Sequence, residues 1–240
     1  MTLAVLALLL APASTPVAAT APLRRECFVL EQPLAAGSAR AVGWAEFLRR
    51  ENEHGMVLEC EYVFLRPTDG ERWRVRHLEQ LDERGPRLVW REFGTASGRT
   101  LTLERERESD AWHCQAWERS EVVQSSIDTQ SGALLPLYLL ELARQGHLGA
   151  SDLYVFDPLE SALVPRRATS VYQPASGSRT RTLELARRDG TLAGRFVFEQ
   201  SELVAFEWQE GGARARRIAP EEYQRATAPD APAACSDSAK

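Results

Sequence analysis

Several signatures of chemistry are missing from this 240-residue chain. Its four histidines, His54, His77, His113 and His147, are scattered, so there is no short-spaced pair of the kind from which zinc sites are read. His113 and Cys114 are adjacent, but neighbours on a strand point to opposite faces. No Gly-rich phosphate loop and no Gly-x-Ser-x-Gly elbow occur, and the cysteines show no activating partner in sequence. Carboxylates are too numerous for any pair to stand out. The expectation is a protein with no enzymatic activity, no metal and no cofactor; a hydrolase with dispersed acidic residues is the remaining enzymatic reading.

Charge of one sign is also missing. Asp and Glu number 34 against 29 Lys and Arg, for a net charge of −5, and a nucleic-acid or anionic-membrane binder needs a concentrated positive field. Arg214, Arg216 and Arg217 form the densest basic patch. On a terminal strand, alternating arginines read as a solvated edge that discourages sheet-to-sheet pairing. No nucleic-acid partner is expected.

Long apolar runs are lacking too. The run from Leu3 to Leu10 is about half of the roughly 20 residues that cross a bilayer, so no transmembrane span is expected. The first nineteen residues are uncharged and end in Val17-Ala18-Ala19. An apolar run, then a Pro/Ala/Ser/Thr stretch with small residues at a cleavage point, reads as a secretory signal, although no Lys or Arg precedes it. The expected organisation is a signal peptide over 1–19, one β-rich domain over 20–224 and a disordered tail over 225–240. That tail is too poor in apolar surface to offset the entropy of ordering. Export implies a periplasmic or secreted location.

What the mature part has is strand patterning. Leu58, Cys60, Tyr62 and Phe64 alternate with Glu59 and Glu61, and Trp73, Val75 and His77 alternate with Arg72, Arg74 and Arg76. Leu101 and Leu103 continue the period-two pattern, and Thr68-Asp69-Gly70, Arg84-Gly85-Pro86 and Ser97-Gly98 punctuate it as hairpin turns. Strands resume at Leu153 to Phe156, Leu183 to Leu185, Phe196 to Phe198 and Leu203 to Trp208, with a strand running into a helical turn at Pro220-Glu221-Glu222-Tyr223.

The pattern breaks once, between Ser131 and Gly146. Leu134 to Ala143 is apolar nearly all round, with Pro136 near its start and Gly146 at a natural C-terminal stop, and it reads as a short helix covered on more than one side. The fold class expected is mainly β: a curved antiparallel sheet or half-barrel meander with one short apolar helix packed on its concave face.

Four cysteines, Cys27, Cys60, Cys114 and Cys235, permit two bridges in an exported chain. Cys60 lies in phase with Leu58 and Tyr62, and Cys114 with Trp112, so these two are the disulfide candidates; buried thiols are the equal alternative. Six tryptophans invite a ligand platform, although core filling explains most of them. If Trp112 and Trp117 share a strand, their odd separation places them on opposite faces, and one of them is a candidate for a ligand-facing position. With Leu137, Tyr138 and Leu140 of the helix they make up the groove candidates.

At Phe156-Asp157-Pro158, preceded by the Leu-rich helix and Gly149, and at Pro220-Glu221-Glu222-Tyr223 after a strand with Phe206-Glu207-Trp208, the sequence resembles a group of uncharacterised bacterial exported β-rich domains. Those domains occur alone or ahead of transglutaminase-like domains, and the similarity runs from about Gly43-Trp44 to Tyr223. More distantly, the pattern is similar to the architecture of the lipoprotein carriers LolA and LolB. That likeness implies a hydrophobic groove for an acyl chain and carries over no catalytic residue. The functional expectation is an exported, non-enzymatic binding module for a lipid or other hydrophobic ligand, or else a structural or protein-interaction module of a cell-envelope assembly. Oligomeric state is not legible.

Overall fold

The computed structural model describes residues 23–34, 37–53, 55–66, 70–93, 99–105, 112–118, 121–127, 133–157, 162–173, 180–208 and 212–228. The expected signal segment, His54, the turns at 67–69 and 94–98, Cys235 and residues 229–240 lie outside them.

The first half of the chain is an uninterrupted antiparallel meander: β1 (Arg24–Pro33), β2 (Ala39–Asn52), β3 (Gly55–Leu65), β4 (Arg72–Asp82), β5 (Gly85–Phe93), β6 (Arg99–Arg105), β7 (Trp112–Glu118) and β8 (Glu121–Ile127). A two-residue strand, β9 (Ala133–Leu134), then leads into the helix α1 (Pro136–Gln145). The second meander follows as β10 (Ser151–Asp157), β11 (Ala162–Gln173), β12 (Thr180–Ala186), β13 (Leu192–Glu199), β14 (Glu202–Trp208) and β15 (Ala213–Ile218), and the helix α2 (Pro220–Thr227) closes it. All strands belong to one sheet in the order β8-β7-β6-β5-β4-β3-β2-β1-β15-β14-β13-β12-β11-β10-β9. The two meanders join where β15 pairs antiparallel with β1, Cys27 opposite Ile218 and Leu30 opposite Ala215. Among the described residues, only β9 is parallel to its neighbour, β10.

This sheet is curled, and α1 proves it. The N-terminus of α1 is bonded by Glu79 of β4 and its C-terminus by Arg181 of β12. A ten-residue helix is about 15 Å long, whereas seven strand spacings in a flat sheet would put β4 and β12 about 34 Å apart. The sheet therefore bends round the helix, which spans the hollow between opposite walls.

Strand alternation sorts the side chains into two cores. On the inner face Phe28, Ala45, Phe47, Leu58, Cys60, Leu183, Leu185, Phe196, Phe198, Leu203 and Phe206 pack round Leu137, Leu139, Leu140 and Ala143 of α1. Phe28 meets Phe47 and Phe206 edge-on at centroid distances of 5.7 and 5.2 Å, the arrangement that ring quadrupoles favour. On the outer face Cys27, Val29, Trp44, Val63 and Ile218 form a smaller core beneath Tyr223 of α2. Strand β1 is thus buried on both faces, as befits the middle of a sheet covered by one helix on each side.

The fold class matches the sequence expectation, with three corrections. The final helical turn is a full two-turn helix running to Thr227, past the boundary at 224 where the tail was set. It forms because Pro220 stands where no N–H is needed and Glu221 and Glu222 occupy the positive first turn. Tyr223 and Thr227 are buried. Secondly, α1 begins at Pro136, with Leu134 in β9 and Leu135 at the N-cap, and it is not apolar all round: Glu141 and Arg144 are among its buried residues. Thirdly, Cys60 of β3 faces His77 of β4, whereas Cys114 of β7 faces Leu103 of β6. Three strands intervene between β3 and β7, and a disulfide requires Cα atoms within about 7 Å, so the sheet does not bring this pair together. Cys27 and Cys60 are both buried thiols.

Candidate functional site

The distinctive site is α1 and the inner wall that receives it. Leu135 at the N-cap has an extended backbone and no side-chain acceptor. Pro136 lacks an N–H, and Leu139 donates its N–H to Leu135 O at 2.9 Å, which leaves the amides of Leu137 and Tyr138 to be satisfied from outside the helix. Glu79, fully buried on β4, accepts both, Leu137 N–H at 2.8 Å and Tyr138 N–H at 2.7 Å. Its carboxylate also lies against the positive end of the helix dipole. His77 Nε2 stands 2.8 Å from Glu79 Oε1, within hydrogen-bond distance.

The C-terminus is finished by the chain itself and by a strand. Gly146 takes the left-handed conformation, φ 79°; its N–H donates to Ala143 O, and that of His147 to Leu142 O, the two bonds of a Schellman ending. From β12, Arg181 Nη1 donates to Ala143 O at 2.8 Å. A β-carbon at Gly146 would stand 2.7 Å from that guanidinium.

Between the two ends lies a buried charge cluster. Arg144 donates to both oxygens of Glu26 on β1, at 2.7 and 2.9 Å, and Glu26 also accepts the Leu203 N–H at 2.9 Å. The Arg144 guanidinium sits 5.5 Å above the Phe198 ring. Glu141 accepts from Arg24 of β1 at 3.1 Å and from Arg49 of β2 at 3.0 Å. Every carboxylate oxygen of Glu26, Glu79 and Glu141 therefore already accepts a hydrogen bond. Chemically the arrangement braces a helix. Among the described residues, no group of three or more His, Cys, Asp and Glu is placed to hold a metal ion, and no helix is long and apolar enough to cross a membrane.

Beyond α1 the inner wall is aromatic. Phe47 meets Tyr62 edge-on at 6.0 Å, Tyr62 stacks on Phe64 at 5.7 Å, and Phe64 leans on Trp73 at 5.8 Å. The run begins in the packed core and ends at Trp73, which is 39% exposed. Phe64 is opposite Gly43 on β2, where a β-carbon would stand 2.5 Å from Val63 O; the glycine lets the two strands approach.

Of the groove candidates, Leu137 and Leu140 are buried in the inner core, and Tyr138, half-buried on the same helix, lies with its ring against Gly85. Trp112 is buried on β7. The backbone of Trp117 pairs with Val122 on the same hairpin, and its side chain lies outside the described residues. The three α1 residues are brought together; the β7 tryptophans belong to a different part of the sheet. Sequence reading missed Glu26, Glu79, Arg181 and the Glu141–Arg144 pair. A signal for the last was present, since two opposite charges three positions apart in a leucine-rich helix must be paired if that helix is covered.

A solved structure repeats this architecture: the β-barrel-like protein of a domain of unknown function, DUF1849, from Brucella abortus superposes with a TM-score of 0.52, covering 81% of this chain and 94% of its own, at 12% sequence identity. The fold is β-barrel-like. No protein-family model matches the chain, and neither does any curated protein. At that identity the likeness reaches the barrel-like sheet alone and carries no residue across.

Proposed function

We propose that this protein is an exported, non-enzymatic binding module of the cell envelope, with the aromatic inner wall beyond α1 as the surface that meets a hydrophobic ligand. The observation that carries the reading is the stacked run Tyr62, Phe64 and Trp73, which leads from the core to a tryptophan 39% exposed. Aromatic side chains are prominent in the lining of sites for small apolar ligands. The distant resemblance to lipoprotein carriers supports a lipid, and the uncharged N-terminal segment ending in Val17-Ala18-Ala19 supports export.

A second reading is an interaction module of an envelope assembly. It is favoured by the space between α1 and the sheet, which side chains fill and which the charge cluster locks. An acyl chain has no room there.

N-phenyl-1-naphthylamine fluorescence, followed by displacement with palmitate, separates the two. Saturable binding that weakens about tenfold or more in Trp73→Ala supports the ligand reading. An absence of saturable binding, together with a protein that emerges empty of lipid in native mass spectrometry after mild purification, sinks it in favour of the interaction module.

A further inference from the structure

At the foot of the aromatic wall stands a polar atom without a partner. His77 is an inward residue of β4, directly opposite Cys60 on β3, and its side chain is 4% exposed. One nitrogen of its ring, Nε2, is within hydrogen-bond distance of Glu79 Oε1. The other, Nδ1, is buried and makes no hydrogen bond among the described residues. Buried polar atoms are rarely left so, because nothing then offsets their lost hydration.

The place of His77 on the sheet shows where a partner would come from. Inward pairs on β3 and β4 run in order as Phe64 opposite Trp73, Tyr62 opposite Val75, and Cys60 opposite His77. Trp73 is exposed, Tyr62 and Phe64 are only partly buried, and at the third pair both residues are buried. His77 therefore stands where the open part of the wall ends. From Trp73 to His77 is four strand residues, about 14 Å, the length of an alkyl chain of about ten carbons. A chain of that length lying on Phe64 and Tyr62 would bring its leading end to Nδ1.

A hydroxyl is the head that suits this atom. It donates to an unprotonated Nδ1 and accepts from a protonated one, so it fits either state of the ring. Burial opposes a charged head, and the Glu79 carboxylate beside the same ring opposes an anion. A buried water is held by about three polar partners as a rule, and the Glu79 oxygens are already committed to α1. We propose that the wall binds a neutral single-chain amphiphile with its hydroxyl end inward, His77 Nδ1 fixing the head and Tyr62, Phe64 and Trp73 carrying the chain. This rests on the ligand reading above and specifies the class of ligand.

Displacement of N-phenyl-1-naphthylamine from the full chain by 1-decanol and by 1-chlorodecane tests it. The chloride keeps the chain, has no donor and only a feeble acceptor, and is the more apolar, so burial alone favours it. 1-Decanol is expected to bind about tenfold more tightly or better, and His77→Gln to erase that preference. Imidazole nitrogen resonances of the unaltered protein decide the question even if His77→Gln fails to fold: His77 Nδ1 shifts on addition of 1-decanol and stays in place with 1-chlorodecane. Equal binding of the two compounds, a preference that persists in His77→Gln, or an Nδ1 resonance that 1-decanol leaves unmoved overturns this inference while the ligand reading stands. If neither compound displaces the dye, or the dye does not bind, both fall together.

Discussion

Arg144 on α1 and Glu26 on β1, 118 residues apart, are joined by a two-pronged ion pair in which neither side chain is more than 6% exposed. The same carboxylate takes the N–H of Leu203 at the start of β14, so one side chain ties the helix to both halves of the sheet. Removing either partner leaves the other buried without its counter-charge.

Arg144→Met is accordingly expected to cost about 3–5 kcal/mol of stability, and Glu26→Gln a comparable amount. The double variant should lose much less than the sum, because the pair is removed together. Urea unfolding of the four proteins measures the cycle; strictly additive losses would show that the pair is not coupled.

Glu79 does the work of an N-cap from a strand 58 residues away. Glu79→Ala leaves the Leu137 and Tyr138 amides buried and unpaired, and about 2–3 kcal/mol is expected to be lost. Glu79→Gln keeps one acceptor and should lose less. Hydrogen exchange over Pro136–Gln145 reports the change directly, and an unchanged protection pattern in the alanine variant would refute the cap.

Acid should loosen α2 before it unfolds the sheet. Burial works against the Glu61 carboxylate, yet hydrogen bonds from Arg76 and Tyr223 outweigh it and hold the group below its usual range. A carboxyl with a depressed folded pKa contributes stability that is complete above its unfolded value and lost as pH falls through the folded one. Exchange protection at Tyr223 should therefore fall below about pH 4, ahead of the core strands, and Glu61→Gln should be weaker at neutral pH but flat across that range. Loss of the two regions in step would count against it.

Cys27 should be inert. Burial first, then the Glu46 carboxylate, push its thiol up to about 11. At pH 8 its alkylation by iodoacetamide is expected to be at least about 100-fold slower than that of an unperturbed cysteine, and to recover on unfolding. Site-resolved mass spectrometry follows both states.

The strands and α1 were legible because their signals are local. Leu58, Cys60 and Tyr62 alternate with Glu59 and Glu61 whichever strand they pair with, and Pro136 and Gly146 bracket a helix by their own backbone limits. The pairing of β1 with β15 has no local signature; Cys27 opposite Ile218 follows only from the closure of the whole sheet. Glu26 and Glu79 were hidden for the same reason. Each sits at an inward position of an alternating strand and reads as an ordinary interruption until a distant helix supplies its partners. The aromatic wall lay between these cases: its members were visible as strand residues, but their exposure depended on where α1 stops.

The central strand is the first to be made and the last to be completed. As the chain emerges from the ribosome, β1 gains β2 early, yet its other flank waits for β15, after every remaining strand has been synthesised. For most of synthesis the middle of the finished sheet is a bare edge, open to foreign strands. Its final ladder depends on one very long loop closure, so slow maturation and a need for protection during assembly are built into the order of the strands.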